Sequence, residues 1–163
     1  MTDLAAQLPD ALRQIALKPL FTMRLDVRPI IDVGQTPGAR RRIGNVFGGR
    51  FEGERLSGEV LDGGSDWQSV RADGATTLDV RLILRASDGG LIAMTYHGVR
   101  HGPPEVMARL AAGEAVDPAS YYFRIAPTFE TASERHGWLN RIVAVGAGHR
   151  LPDGPVYNVF EVL

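Results

Sequence analysis

The sequence predicts an all-β protein: nine or ten antiparallel strands with one or two short helices, and closure into a barrel as the economical way to remove exposed edges. Three observations carry this. Apolar residues recur with period two, as in Phe21, Met23, Leu25 and Val27, which alternate with Thr22, Arg24, Asp26 and Arg28. Turn signals such as Gly63-Gly64, Asp73-Gly74 and Asp88-Gly89 punctuate the alternating stretches. Only one stretch of the second half has clear helical boundaries. A two-sheet sandwich would leave nearly the same pattern.

In chain order, residues 1–19 read as a short N-terminal extension, in which Pro9-Asp10 opens a short helix continuing through Leu12, Ile15 and Ala16. The first strand ends at Pro29, and a looser stretch runs to Gly38. Arg40, Arg41 and Arg42 lead into a strand over 43–50, with short strands expected at 55–60 and 67–72. Leu78, Val80, Leu82 and Leu84 form one apolar face, and Leu91 to Arg100 is the antiparallel partner across the Asp88-Gly89 turn. Pro103-Pro104, the Val106/Leu110 pair and Gly113 frame a helix over 104–112. Strands resume at 121–129, 139–146 and 156–162. No repeat, linker or composition break divides the 163 residues, so one domain is expected, large enough to bury roughly 70% of its extended surface.

Composition removes several function classes. A net charge of -1 offers no broad attraction for nucleic acid or anionic lipid. The absence of cysteine rules out disulfides, thiolate catalysis and thiolate metal sites. No apolar run approaches bilayer length and no secretory signal opens the chain, so a cytoplasmic location is expected, with no membrane partner. The glycine-rich segment from Gly44 to Trp67 lacks the Lys-Ser or Lys-Thr and the following helix that a phosphate loop needs. It reads instead as turns and bulges in a sheet. His97, His101, His136 and His149 form no familiar metal motif, and no Gly-x-Ser-x-Gly is present. Neither metal nor cofactor is expected.

The ordered motifs Gly44-to-Gly58, Asp66-Trp67-Gln68, Asp73-Gly74, Asp88-Gly89, Val116-Asp117-Pro118, Tyr121-Tyr122-Phe123-Arg124 and Trp138-Leu139-Asn140-Arg141 resemble the DUF3237 family, also called the UPF0311 proteins. The resemblance runs from about Phe21 to the C-terminus. This chain has Gly53-Glu54-Arg55-Leu56 where that family often has Gly-Pro-Arg-Leu. The resemblance implies a lipocalin-like antiparallel barrel and carries no catalytic set.

Candidate site residues therefore come from chemistry. His97 is the candidate general base, because an unperturbed imidazole has its pKa near neutrality, with Asp66 as its orienter or as a proton acceptor. Tyr122 and Arg124 share one strand face and could stabilise an enolate, phenolate or carboxylate, as could Arg81. Trp67 and Trp138 supply apolar contact for a planar ligand, and Asn140 supplies an amide at a pocket wall. Each has a plainer structural role available: turn capping, core anchoring or a solvated ladder. The preferred reading is a small-molecule enzyme, cofactor-independent, performing an isomerase- or lyase-type proton transfer on a conjugated or carbonyl-containing substrate. The alternatives are a non-catalytic binding barrel for a small aromatic or amphipathic acid, and a structural assembly protein. A homodimer is also expected, joined through an outer sheet face bearing Phe21-Met23-Leu25-Val27 and Val156-Phe160-Val162.

Overall fold

The computed structural model describes residues 3–163. Ten strands and one α-helix follow one another as β1 (Leu17–Val27), β2 (Ile31–Gln35), β3 (Arg40–Glu52), β4 (Gly58–Val60), β5 (Gly64–Val70), β6 (Thr76–Ala86), β7 (Leu91–His101), α1 (Pro104–Ala111), β8 (Tyr122–Glu130), β9 (Ala144–Leu151) and β10 (Gly154–Val162). Every pairing is antiparallel. The order β1-β10-β9-β8-β7-β6 continues through β5 and β4 to β3, and β3 returns to β1. The sheet therefore closes into an eight-position barrel, with β4 and β5 sharing the place between β3 and β6 and with β2 added beside β3. Closure satisfies edges that an open sheet would expose.

Alternation decides what lies inside. On β6, Leu78, Val80, Leu82 and Leu84 are buried. The β6–β7 register places Met94 opposite Leu82, Tyr96 opposite Val80, Gly98 opposite Leu78 and Arg100 opposite Thr76. Directly paired residues share a face, so β7 sends Met94, Tyr96, Gly98 and Arg100 inward. One end of the interior is filled by Phe21, Phe51 and Phe129, with Phe21 to Phe51 centroids 5.3 Å apart and Phe21 to Phe129 6.1 Å. Polar side chains collect toward the other end. There the β1–β2 connection and the β9–β10 hairpin form the rim, and α1 lies across it through Met107 and Leu110.

Several expected boundaries move. Residues 139–146 do not start as a strand: Gly137–Arg141 is a 3-10 turn and β9 begins at Ala144, because Leu139 is wholly buried as a plug rather than alternating across a sheet. Residues 31–35, read as loose, form β2, since β3 is long enough to pair with it as well as with β1. The single N-terminal helix is replaced by two 3-10 turns, Ala5–Gln7 and Asp10–Leu12, with their side chains exposed. The outer face expected to join a homodimer also changes. Phe21, Met23 and Leu25 are core residues at 2% exposure or less, so these three offer no outer surface. Among the described residues no helix is long and apolar enough to cross a membrane.

Several glycines sit where a side chain would collide, Gly148 and Gly154 among them. Gly148 on β9 faces the Phe123 ring, and a Cβ there would sit 2.7 Å from it. Gly154 opens β10 with φ +143°, and a Cβ there would meet the Leu25 carbonyl oxygen at 1.9 Å. We expect Gly154→Ala to cost about 2–4 kcal/mol, because strain and a backbone clash combine. Urea denaturation checks this, and a change below about 0.5 kcal/mol would contradict the tight approach of β10 to β1.

Candidate functional site at the barrel mouth

The polar end of the lumen is built by parity. Asp66 on β5 pairs with Gly44 of β3 and with Val80 of β6, so it shares the inward face of Val80 and Tyr96. Gln68, two residues on, points the same way, while Trp67 and Ser69 point out. Gln68 is 6% exposed, and its Nε2 donates to Asp66 Oδ2 at 2.7 Å. Asp66 Oδ1 is buried without a well-formed hydrogen bond, although a looser backbone N–H contact from Asp79 helps to stabilise the carboxylate. Burial raises the Asp66 pKa to about 6, against the opposing pull of the Gln68 hydrogen bond and the Arg100 charge. A carboxyl group so placed can take up or release a proton near neutrality.

Across the cavity the Tyr96 hydroxyl donates to the Tyr157 hydroxyl at 3.3 Å, with rings edge-on at 5.6 Å. Both side chains are 1% exposed, and burial holds both phenols above their ordinary range. Since Tyr96 donates to its neighbour, the Tyr157 hydroxyl keeps its own proton for a further acceptor. Arg100 is 7% exposed, lies 5.3 Å over the Phe123 ring, and leaves its Nε without a partner. Arg150 on β9 completes the rim. Burial lowers the pKa of both arginines, and Asp66 is among the few groups that counter this.

These groups enclose a cavity of about 350 Å³ with apolar walls that include Leu25, Val46 and Phe123. A smaller lobe of about 140 Å³ lies beside it under α1, with Gln68, Arg100 and Arg150 lining both spaces. The interior is therefore not completely filled by its own side chains.

The candidates named from sequence do not converge here. Asp66 alone enters the lumen. Trp67, His97, Tyr122 and Arg124 lie together along an open groove of about 950 Å³ on the outer wall. His97 has a side chain 75% exposed, and its Nδ1 is 4.0 Å from Asp79, so Asp66 does not orient it. Arg124 stacks over Tyr122 at 5.0 Å, and Tyr122 over His101 at 5.1 Å. Arg81 is exposed on the outward parity of β6. Trp138 sits under Arg55 at 4.4 Å on the 3-10 turn, and Asn140 caps Thr131 through its backbone N and O, so neither belongs to a strand face or to either cavity. The groove is the larger space and most of its charged groups are open to water, with Asp79 Oδ1 its one buried oxygen lacking a partner among the described residues. The lumen holds more such atoms, Asp66 Oδ1 and Arg100 Nε, and we take it as the site. Among the described residues no three histidine or acidic side chains gather as a metal site.

Sequence reasoning missed Gln68, Tyr96, Arg100, Arg150 and Tyr157. The signal was present: carrying the parity of Met94 forward along β7 selects Tyr96, Gly98 and Arg100.

The DUF3237 profile, described as a protein of unknown function, matches residues 15–162. The chain belongs to the DUF3237 family. A UPF0311 protein of Rhodopseudomonas palustris is 34% identical over 146 residues, spanning 90% of this chain and 95% of the relative. The crystal structure of a beta-barrel like protein from Acinetobacter baumannii superposes with a TM-score of 0.81 at 39% identity, covering 92% of this chain and 97% of that one. A hydroalkoxylation enzyme of Penicillium herquei is 25% identical over 130 residues, 80% of this chain and 72% of that enzyme. The DUF3237 match covers the whole barrel and leaves only the N-terminal arm outside it.

The raised pKa of Asp66 has a consequence for stability in this DUF3237 chain. The folded state binds a proton more tightly than the unfolded chain, so stability falls as pH rises from about 4 to about 6, and the penalty is complete above that. Replacing the carboxylate with an amide removes the penalty. Asp66→Asn should therefore be more stable than the parent by about 2–3 kcal/mol at pH 7.5, and the gap should close toward pH 4. Paired denaturation curves at the two pH values test this. A gap that widens toward acid would reverse the sign of the argument.

Proposed function

We propose that this protein is an acid–base enzyme of the lyase type, adding a hydroxyl group across a conjugated carbon–carbon double bond within one substrate molecule. The observation that carries the reading is the carboxyl of Asp66 on the lumen wall, whose pKa lies near 6 and whose Oδ1 is buried without a side-chain partner. The name of the Penicillium herquei relative, a hydroalkoxylation enzyme, supports the same reaction class.

In this mechanism the Asp66 carboxylate takes the proton of the attacking hydroxyl. The substrate's hydroxyl oxygen forms a bond to the β carbon, and the π electrons move onto the carbonyl oxygen. The Tyr157 hydroxyl donates to that oxygen, and the positive field of Arg150 favours the developing charge. The enolate then collapses, and Asp66 returns its proton to the α carbon. No atom is lost and no electron is exchanged, so the cycle needs no external reagent. Gln68 holds the carboxylate by its other oxygen, leaving Oδ1 for the proton.

The direct test follows ring closure of a panel of hydroxy-enones by NMR, with deuterium incorporation at the α carbon in heavy water. Activity should rise with pH through about 6 and level above it, because the base must be ionised. Asp66→Asn should lower kcat by about 10²–10⁴-fold, and Tyr157→Phe by about 10–100-fold through loss of one donor. His97→Gln should leave the rate within about twofold, since His97 is outside the lumen. A rate insensitive to Asp66 and abolished by His97→Gln would move the chemistry to the outer groove and end this reading.

A further inference from the structure

The small lobe beneath α1 is unbalanced in charge. Arg42, Arg100 and Arg150 all line it, and no acidic side chain does. Among the described residues Arg42 and Arg100 form no ion pair with a carboxylate, and Arg150 spends its Nη1 on the backbone carbonyl of Leu151. Asp66, in the adjoining cavity, is a single negative charge against three positive ones, and Gln68 already occupies one of its oxygens. Most arginines elsewhere on this barrel behave differently. Arg40, Arg55, Arg71 and Arg85 each reach a carboxylate.

Arg100 is the clearest case. It is 93% buried by surface, it faces the lobe from the inward parity of β7, and its Nε–H has no acceptor. Desolvated donors of this kind are costly unless something fills them. The edge of a guanidinium formed by Nε and one terminal nitrogen matches the two oxygens of a planar carboxylate. Phe123 supports the face of that guanidinium at 5.3 Å and fixes its plane. The larger chamber beside it has walls of Leu25, Val46, Leu78 and Phe123, which suit a flat apolar body.

We infer that the barrel mouth binds a conjugated or aromatic carboxylic acid, its carboxylate seated in the small lobe on Arg100 with Arg42 and Arg150 around it, and its apolar body extending toward Asp66 and the tyrosine pair. This rests on the reading of the lumen as the working site, and it adds the acidic anchor that the acid–base chemistry alone does not require. The anchor would also set direction, since a group held under α1 points the remainder of the ligand at Asp66.

Calorimetric titration of the full chain with 2-naphthoate, 2-naphthamide and 2-naphthyl phosphate tests it without any turnover assay. Naphthoate should bind at least tenfold more tightly than the neutral amide and more tightly than the phosphate. Raising salt should leave much of that preference intact, as expected for a buried pair. Arg100→Met should erase the preference for the acid over the amide, and Arg81→Met, on the outer wall, should keep it. Equal binding of acid and amide by the parent protein would overturn the inference even if Arg100→Met failed to fold, and so would tighter binding of the phosphate. The two readings also separate. Arg100-dependent naphthoate binding in a protein that closes no hydroxy-enone would keep the anchor and remove the chemistry. Turnover of neutral hydroxy-enones with no preference for acids would keep the chemistry and remove the anchor.

Discussion

A closed barrel has a single interior, and the period of two along each strand commits every second residue to it. The antiparallel register then carries that commitment from strand to strand. Asp66 is inside because it pairs with Val80, and Tyr96 is inside because it pairs with Val80 from the other side. A shift of one residue between β5 and β6 would send Trp67 inward and Asp66 into water. The polar end of the lumen depends on this register, which the hydrophobic run Leu78, Val80, Leu82 and Leu84 holds in place. Core packing and site chemistry are two readings of one constraint.

The same constraint explains why the polar groups gather at one end. Phe21, Phe51 and Phe129 occupy the far end and leave no room for a ligand. Toward the mouth, β9 contributes Gly146 and Gly148 on its inward parity, and Phe123 fills the space beside Gly148. Phe123 in turn meets Tyr157 edge-on at 5.3 Å and lies under Arg100. A missing side chain on one strand thus sets the position of an aromatic ring on the next, and that ring positions a phenol and a guanidinium. Asp66 and the arginines then moderate one another. Burial disfavours both kinds of charge, each partly relieves the other, and the carboxyl settles near pH 6 rather than at either extreme. The cost is carried by the fold, since a carboxylate with one bare buried oxygen weakens the native state at neutral pH.

Much of this architecture was readable before any coordinates. Alternation located most of the strands, and Pro103-Pro104 with Gly113 located α1 to within one residue. The errors have physical sources. Leu139 looks like the first residue of a strand because it is apolar and followed by Ile142 and Val143, yet one buried side chain on a tight turn has no period to report. The site was only partly legible for a related reason. Local sequence shows that Asp66 and Trp67 face opposite ways, but which one faces inward depends on the register of β5 against β6, which the Asp73-Gly74 turn between them does not by itself fix. His97 drew attention because histidine titrates near neutrality in water. Asp66 reaches that range by burial, which no inspection of residue type can reveal.

The contrast between the two faces of the wall sharpens the general point. The outer groove is larger, and it gathers an indole, an imidazole, a phenol and a guanidinium within one open surface. By residue type it resembles an active site more than the lumen does. Its side chains are mostly open to water, so their charges are screened, and Asp79 Oδ1 is the single buried atom on its wall without a partner among the described residues. Inside, a few ångströms of sheet away, Asp66, Tyr157 and Arg100 have lost that water and have not fully replaced it. Catalysis and tight recognition draw on such unfinished interactions, because only a group lacking a partner can gain one when a ligand arrives or a charge develops. What identifies the lumen is the residual demand of its polar atoms rather than its volume or its residue types.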